Sequence, residues 1–303
     1  MNDTKIQHST PYASISPTLP SLSAAGKTML ITGASSGIGL ATARAFLEAG
    51  CKRIALVSRR VRLVSATADE LRARFPGSKI LVFEADVQDA GALEAAFLQS
   101  SRPKHGEEGE GVGVVDVVIN CAGYMPSLAP LASNTTTTPA GDLADWWRAF
   151  EVNVLGAATL ARAILSHASP GAVVLQLGTA GALFPAQLPM SAYAVSKLAL
   201  VKLMEYFGAE KPGLRVVTVH PGVIPETEGG QKMVKESGVE WPGDDIDLPA
   251  HFLVWAASDE ARFLKNKFVF ANWDVDEMKA REQEIAGSPE LMIGLHGFPR
   301  NVE

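Results

Sequence analysis

The sequence predicts an α/β fold: one domain built on a doubly wound parallel sheet, with helices on both faces to give three layers. Three observations carry this. Short apolar runs alternate with helical patterns from residue 27 to about residue 270. The runs are apolar at successive positions, as in strands covered on both faces. The first run breaks into a glycine-rich turn that opens directly into a helical pattern. Parallel neighbours need crossovers, and right-handed crossovers make the doubly wound arrangement the economical one.

The elements follow in order. Residues 1–26 carry Pro11, Pro17 and Pro20 among serines and read as an extended arm. Residues 27–271 form the predicted domain, and 272–303 a C-terminal extension. Residues 29–31 are the first strand, and Ile38, Leu40, Ala41, Ala45, Phe46 and Leu47 mark the helix behind it. Residues 53–57 are a second strand. An amphipathic helix over 61–75 follows, stopped by Pro76-Gly77. Residues 79–83 are a third strand, and Asp89 caps a helix that runs to about Gln99. The acidic, four-glycine segment 101–113 reads as a solvated insertion. Residues 114–119 form a fourth strand, and 133–141 a second polar insert. A long helix over 142–167 precedes a fifth strand at 172–177, and another over 191–210 precedes a sixth at 215–219. Residues 248–257 are predicted helical and 268–270 a last strand. The intervening segment 225–242, with Gly229-Gly230 and Gly238, is long enough to serve as a lid.

Of 303 residues, 47% are hydrophobic and 20% charged, and the net charge is −6. That balance is ordinary for a globular protein and argues against nucleic acid or an anionic membrane surface as the main partner. No stretch reads as apolar for long enough to cross a bilayer, and the first 25 residues lack a signal-peptide core, so the expected compartment is cytoplasmic. Cys51 and Cys121 stand in no metal-ligand spacing and are expected to be reduced, buried thiols. No metal is expected.

Ligands of such sheets sit at the carboxyl ends of the strands. After the first strand comes Gly33-Ala34-Ser35-Ser36-Gly37-Ile38-Gly39. Gly33 lets the chain turn, Gly37 admits a phosphate close to the backbone, and Gly39 lets helix and strand approach. The helix start offers free N–H groups to a diphosphate. Farther on, Tyr193-Ala194-Val195-Ser196-Lys197 sets a phenol and an ammonium four residues apart on one helix face. A phenol is a poor base at neutral pH, and a neighbouring cation lowers its pKa. The pair is then able to exchange a proton with an alcohol or carbonyl oxygen.

Together these motifs closely resemble the short-chain dehydrogenase/reductase family, whose fold is Rossmann-like. Asn120-Cys121-Ala122-Gly123 resembles the family's Asn-Asn-Ala-Gly, Asn153-Val154-Leu155-Gly156 its Asn-Val-x-Gly, and Pro221-Gly222 its Pro-Gly after the sixth strand. The resemblance spans about residues 27–270. It implies that Tyr193 is the general acid/base and that Lys197 lowers its pKa and holds the nicotinamide ribose. Asn153 would hold a proton-relaying water. Asn120 would brace the central strand beside the adenine, with Ala122 and Gly123 following it. Asp86 would contact the adenine, and Val87, Pro221, Gly222 and Val223 would also contact the cofactor. Thirteen residues before Tyr193, where the family usually carries Ser, stands Ala180; Thr179 is the nearest hydroxyl and the candidate for that role. Thr227 stands one place late for the family's Thr after Pro-Gly.

The second strand ends Val57-Ser58-Arg59-Arg60, with no carboxylate to take the ribose hydroxyls of NAD. Ser58 and Arg59 suit a 2′-phosphate, so NADP is the expected cofactor. Tyr124, Met125, Phe184, Pro185, Met190, Val223 and Ile224 are expected to line an apolar substrate pocket. The expected activity is interconversion of an alcohol and a ketone or aldehyde on a hydrophobic small molecule. Ala180 keeps a second reading open, an NADP-binding regulator or scaffold without redox chemistry. Apolar residues on more than one side of the helices over 142–167 and 191–210 predict a homodimer or homotetramer. The tail, with Trp273 and Phe298, would cover the pocket or a subunit interface.

Overall fold

A computed structural model describes residues 3–100, 114–132, 140–186, 189–238 and 242–294. The predicted insertion at 101–113, most of that at 133–141, and Phe298 lie outside the described residues. Seven parallel strands stand in the order β3-β2-β1-β4-β5-β6-β7. They are β1 (Thr28–Thr32), β2 (Arg53–Ser58), β3 (Lys79–Glu84), β4 (Val115–Asn120), β5 (Ala168–Leu177), β6 (Arg215–His220) and β7 (Lys267–Phe270). Neighbours pair in register, for example Ile31 with Leu56 and with Ile119, so the carboxyl ends of β1, β2 and β4 lie level.

Apart from the half-buried edge strand β3, the successive apolar positions that predicted these strands are buried on both faces. Met29 and Ile31 enter one core with α1 (Gly37–Glu48), α2 (Val61–Arg74) and α8 (Asp247–Ala257). Leu30, Val118 and Val174 enter the other with α3 (Ala90–Ser100), α5 (Gly156–His167) and α6 (Ser191–Glu210). Strand order reverses between β1 and β4, and that switch point opens the crevice used by ligands in such sheets.

Three sequence expectations change. The helix over 142–167 is two α segments, α4 (Leu143–Phe150) and α5, joined through a wider π turn at Glu151–Leu155 that carries Asn153. The run Leu143–His167 is long and apolar enough to cross a membrane by composition, contrary to the sequence reading, yet 44% of its most apolar window is buried in the protein. It is apolar on several sides because one side packs on the core while Leu143, Trp147, Leu155 and Leu165 stay exposed. The glycine-rich segment after β6 is not all loop: Glu228–Ser237 forms α7. Gly229-Gly230 hid this helix, because glycine disfavours helix interiors. Its ends carry the helix, with Thr227 accepting from Gly230 N at 3.0 Å and Gly238 closing it at φ 68°.

The arm and the tail meet. Gln7 forms a β-bridge with Trp273, His8 pairs with Asp274 at 2.9 Å, and the Tyr12 hydroxyl donates to the Trp273 carbonyl. The tail folds into α9 (Val275–Ala280) and α10 (Glu282–Gly287), the first capped by Asp274 accepting from Asp276 N and Glu277 N.

Candidate active site

The turn after β1 is built for close approach. At Gly33, φ is +68°, and a Cβ there would lie 2.7 Å from Ala122 N. A Cβ on Gly39 would lie 2.3 Å from the Gly33 carbonyl oxygen, so strand and helix meet only through glycine. The helix α1 begins with Ser36, whose side chain makes no cap, and its first turn holds no acid. Its leading N–H groups and positive dipole end therefore face the crevice unclaimed by a side chain, which suits a diphosphate.

The crevice has a volume of about 390 Å³ and runs from Ser58, Arg59 and Arg60 past the glycine turn to Tyr193 and Lys197. Of the residues named from sequence as cofactor-binding, Gly33, Ser35, Ser36, Gly37, Ile38, Gly39, Val87, Ala122, Gly123 and Pro221 line it. Asp86, Asn120, Gly222 and Val223 do not line this crevice. Asp86 instead accepts from Gln88 N at 3.0 Å and pairs with Arg59 at 3.5 Å. Gly222 and Val223 border the adjoining apolar cavity. Val223 N donates to Asp244 at 2.7 Å, which pins the loop after β6.

Asn120 lies beneath the crevice in a buried polar chain. The Thr32 hydroxyl donates to Asn120 Oδ1 at 2.5 Å, and Asn120 Nδ2 donates to Gln176 Oε1 at 2.8 Å. This ties the ends of β1, β4 and β5 together. Gln176 escaped the sequence reading because a single polar residue in an apolar strand carries no spacing signal.

The π turn aims Asn153 inward. Asn153 Oδ1 accepts from Tyr124 N at 2.8 Å, and its Nδ2 donates to the Tyr124 carbonyl at 3.1 Å and to the Ser196 hydroxyl at 3.0 Å. Lys197 Nζ donates to the Leu177 carbonyl at 3.2 Å and stands 5.9 Å from the Tyr193 ring centroid. Gly123 brings these groups together: a Cβ on it would lie 3.4 Å from Lys197 Nζ and 3.5 Å from Asn153 Oδ1.

Burial dominates the electrostatics. It pushes the Tyr193 phenol up to about 12, and the Thr179 hydroxyl facing that phenol acts against the rise. The lowering by Lys197 expected from sequence does not figure among the causes acting on the phenol, and burial pulls the Lys197 ammonium itself down to about 8. Cys121 lies beside Lys197, its thiol pushed up to about 12 by burial. Thr179 Oγ1 accepts from Gly181 N at 3.3 Å and opens a short turn that turns Ala180 into the core. Of the two residues weighed from sequence, the structure turns Thr179 toward Tyr193.

Arg60 was missed as a site residue. It donates to Ser35 at 3.1 Å and Ser36 at 2.8 Å and pairs with Glu228 of α7, bridging the crevice mouth. Across the mouth, Lys232 Nζ donates to the Met125 carbonyl at 3.0 Å and Leu128 N donates to Glu236 at 2.6 Å. So α7 is fastened on both sides of the opening. Beneath it lies a second cavity of about 230 Å³, mostly apolar, reaching Thr179 and Tyr193. Tyr124 borders the first crevice, while Met125, Phe184, Met190, Val223 and Ile224 line the second; Pro185 does not.

Comparison with known proteins agrees with this geometry. The sequence profile described as short chain dehydrogenase matches residues 27–238. A Short chain dehydrogenase/reductase of Claviceps purpurea is 37% identical over 299 residues, covering 96% of this chain and 94% of its own. The Short chain dehydrogenase/reductase AacuD of Aspergillus aculeatus is 33% identical, covering 97% of both chains. Among solved structures, a short chain dehydrogenase from Shigella flexneri has a TM-score of 0.69 at 19% identity, over 84% of this chain and 93% of that one. One from Burkholderia cenocepacia, solved in complex with NADP, has a TM-score of 0.65 at 22% identity, over 83% and 98%.

Proposed function

This chain belongs to the short-chain dehydrogenase/reductase family and is an oxidoreductase of that family; from there we propose that it uses NADP to interconvert an alcohol and a ketone or aldehyde on a hydrophobic small molecule. The observation that carries the reading is the convergence of Tyr193, Lys197, Asn153 and Thr179 where the crevice at the glycine turn meets an apolar cavity.

The residues fit the cofactor. The uncapped start of α1 with Ser35, Ser36, Gly37 and Ile38 would hold the diphosphate, and Lys197 the nicotinamide ribose. Val87 would border the adenine, with Ala122 and Gly123 between, while Asp86, outside the crevice lining, would act from behind through Arg59. Ser58 and Arg59 favour NADP: no acid follows β2 to take the ribose hydroxyls, and Arg59 is half exposed and held only at 3.5 Å by Asp86. When bound, the cofactor supplies or accepts hydride at its nicotinamide ring.

The chain's own part is proton transfer and orientation. Thr179 donates its hydroxyl hydrogen to the substrate oxygen and sets it beside the Tyr193 hydroxyl. Tyr193 gives its proton to that oxygen as a carbonyl is reduced. Lys197 stabilises the phenolate left behind, and Asn153 holds the loop at Tyr124 over the reacting pair. With the phenol raised to about 12, Tyr193 keeps its proton throughout the neutral range, the form that reduction of a carbonyl requires.

The pH dependence follows from Lys197. Its lowered pKa means the stabilising cation is lost as pH rises through about 8, not through the ordinary lysine range. The kcat/KM for reduction reports groups of the free enzyme. It is expected to be flat below pH 7 and to fall with a single proton above pH 8. A profile flat to pH 10 would contradict this.

The working partner is a small molecule, and the expected compartment is the cytosol. Assembly as a homodimer or homotetramer is expected through α4–α5 and α6, where Trp147, Leu155, Val195, Leu198 and Tyr206 remain exposed. Light scattering at micromolar concentration should give at least twice the 32.1 kDa chain mass, and a monomer would end the idea.

A further inference from the structure

His220 ends β6 immediately before Pro221-Gly222 and borders the apolar cavity that reaches Tyr193. Its ring is fixed edge-on to Phe270, with centroids 4.8 Å apart and planes at 76°. Nδ1 is buried without a hydrogen-bond partner. Nε2 is thus the ring nitrogen left to meet a ligand. Burial pulls the imidazole pKa down to about 4, so the ring is neutral at physiological pH. A neutral imidazole carries one N–H. An unpaired buried N–H is the rarer defect, and an unpaired buried acceptor is better tolerated. Nδ1 is therefore the bare nitrogen, and Nε2 carries the hydrogen. The cavity around it is mostly apolar, walled by Met125, Phe184, Met190, Ile224 and Met233, with hydroxyls only at Thr179, Tyr193, Thr227 and Ser237 among its lining side chains.

We propose that His220 is a substrate-positioning residue whose Nε2–H donates to a second oxygen of the substrate, remote from the carbon that reacts at Tyr193. This deepens the reading above and rests on it. The substrate class is an apolar ketone bearing another carbonyl, hydroxyl or ether oxygen across its skeleton. Such an oxygen enters the cavity at low cost because His220 replaces the water it leaves, whereas a purely hydrocarbon end strands the N–H.

Two measurements test it on the whole protein. Long-range 15N–1H NMR, with His220→Gln giving the assignment, should show His220 at pH 7 as the neutral Nε2–H tautomer. An imidazolium or an Nδ1–H tautomer overturns the proposal. The second compares NADPH-dependent reduction of trans-1-decalone and decalin-1,5-dione, two bicyclic ketones of similar size. Wild type is expected to favour the dione in kcat/KM by about tenfold, the worth of roughly one hydrogen bond. His220→Phe should bring that ratio near one, and His220→Gln, which keeps a donor, should restore part of it. A ratio near one in wild type, or one unchanged by His220→Phe, overturns the proposal. Undiminished turnover of both ketones by Tyr193→Phe would instead defeat the oxidoreductase mechanism on which the proposal rests.

Discussion

Replacing Tyr193 by Phe is expected to cut turnover by roughly a hundred- to ten-thousandfold, the span that general acid–base catalysis contributes. The loss should fall on kcat, because the phenol proton moves only in the transition state. NADPH affinity, read by fluorescence titration, should stay near that of the wild type. The ring remains in Phe, so its packing above Lys197 survives and the variant should fold. Two outcomes would count against the assigned role: activity on an identified substrate surviving the change, or NADPH binding collapsing with it. The same variant separates the redox reading from that of a cofactor-binding scaffold, since a scaffold's partner interactions would not depend on one phenol hydroxyl.

Arg59→Ala should weaken NADPH binding about ten- to a hundredfold and NADH binding far less. A hydrogen bond to a charged group contributes about 1.5–3 kcal/mol, and about 1.4 kcal/mol corresponds to tenfold in affinity. Arg59 is the more loosely held of the arginine pair, with Asp86 at 3.5 Å, whereas Arg60 is held by Ser35, Ser36 and Glu228. Combining Arg59→Ala with Ser58→Asp adds a carboxylate where one would repel the 2′-phosphate and accept from ribose hydroxyls, and should reverse the preference. Titrations of both nucleotides against the three proteins decide it. Equal losses for NADPH and NADH would mean that Arg59 supports the adenine or the turn instead.

The sheet was legible because every strand except the edge strand β3 is buried on both faces, which leaves runs of apolar residues no surface element would carry. The glycine turn and the Tyr193–Lys197 pair were legible because their chemistry requires particular spacings. What stayed hidden depends on geometry between distant segments. The crevice-bridging contact of Arg60 joins residues 168 apart. Thr179 was already the nearest hydroxyl in sequence, but only the short turn shows it facing Tyr193 while Ala180 enters the core. The raised phenol pKa is a burial effect, and local sequence speaks of the neighbouring lysine but not of the water excluded around both. The helix α7 was obscured by its own glycines, whose cost is offset by caps at each end.

The meeting of the arm with the tail bears on how this molecule comes apart. The pair His8–Asp274 closes a loop across 266 positions, and Tyr12 with Trp273 closes one across 261. Bringing such distant points together costs ~5 kcal/mol of chain entropy, and the cost rises only slowly with length. That expense falls early if the contact forms in an open coil, and almost vanishes once the sheet has brought both ends near. The clasp is therefore expected to form late in folding, on the native side of the barrier. Interactions of that kind hold back the unfolding rate and leave the folding rate nearly untouched. The arm would thus act as a kinetic lock, lengthening the lifetime of the folded chain without helping it to fold.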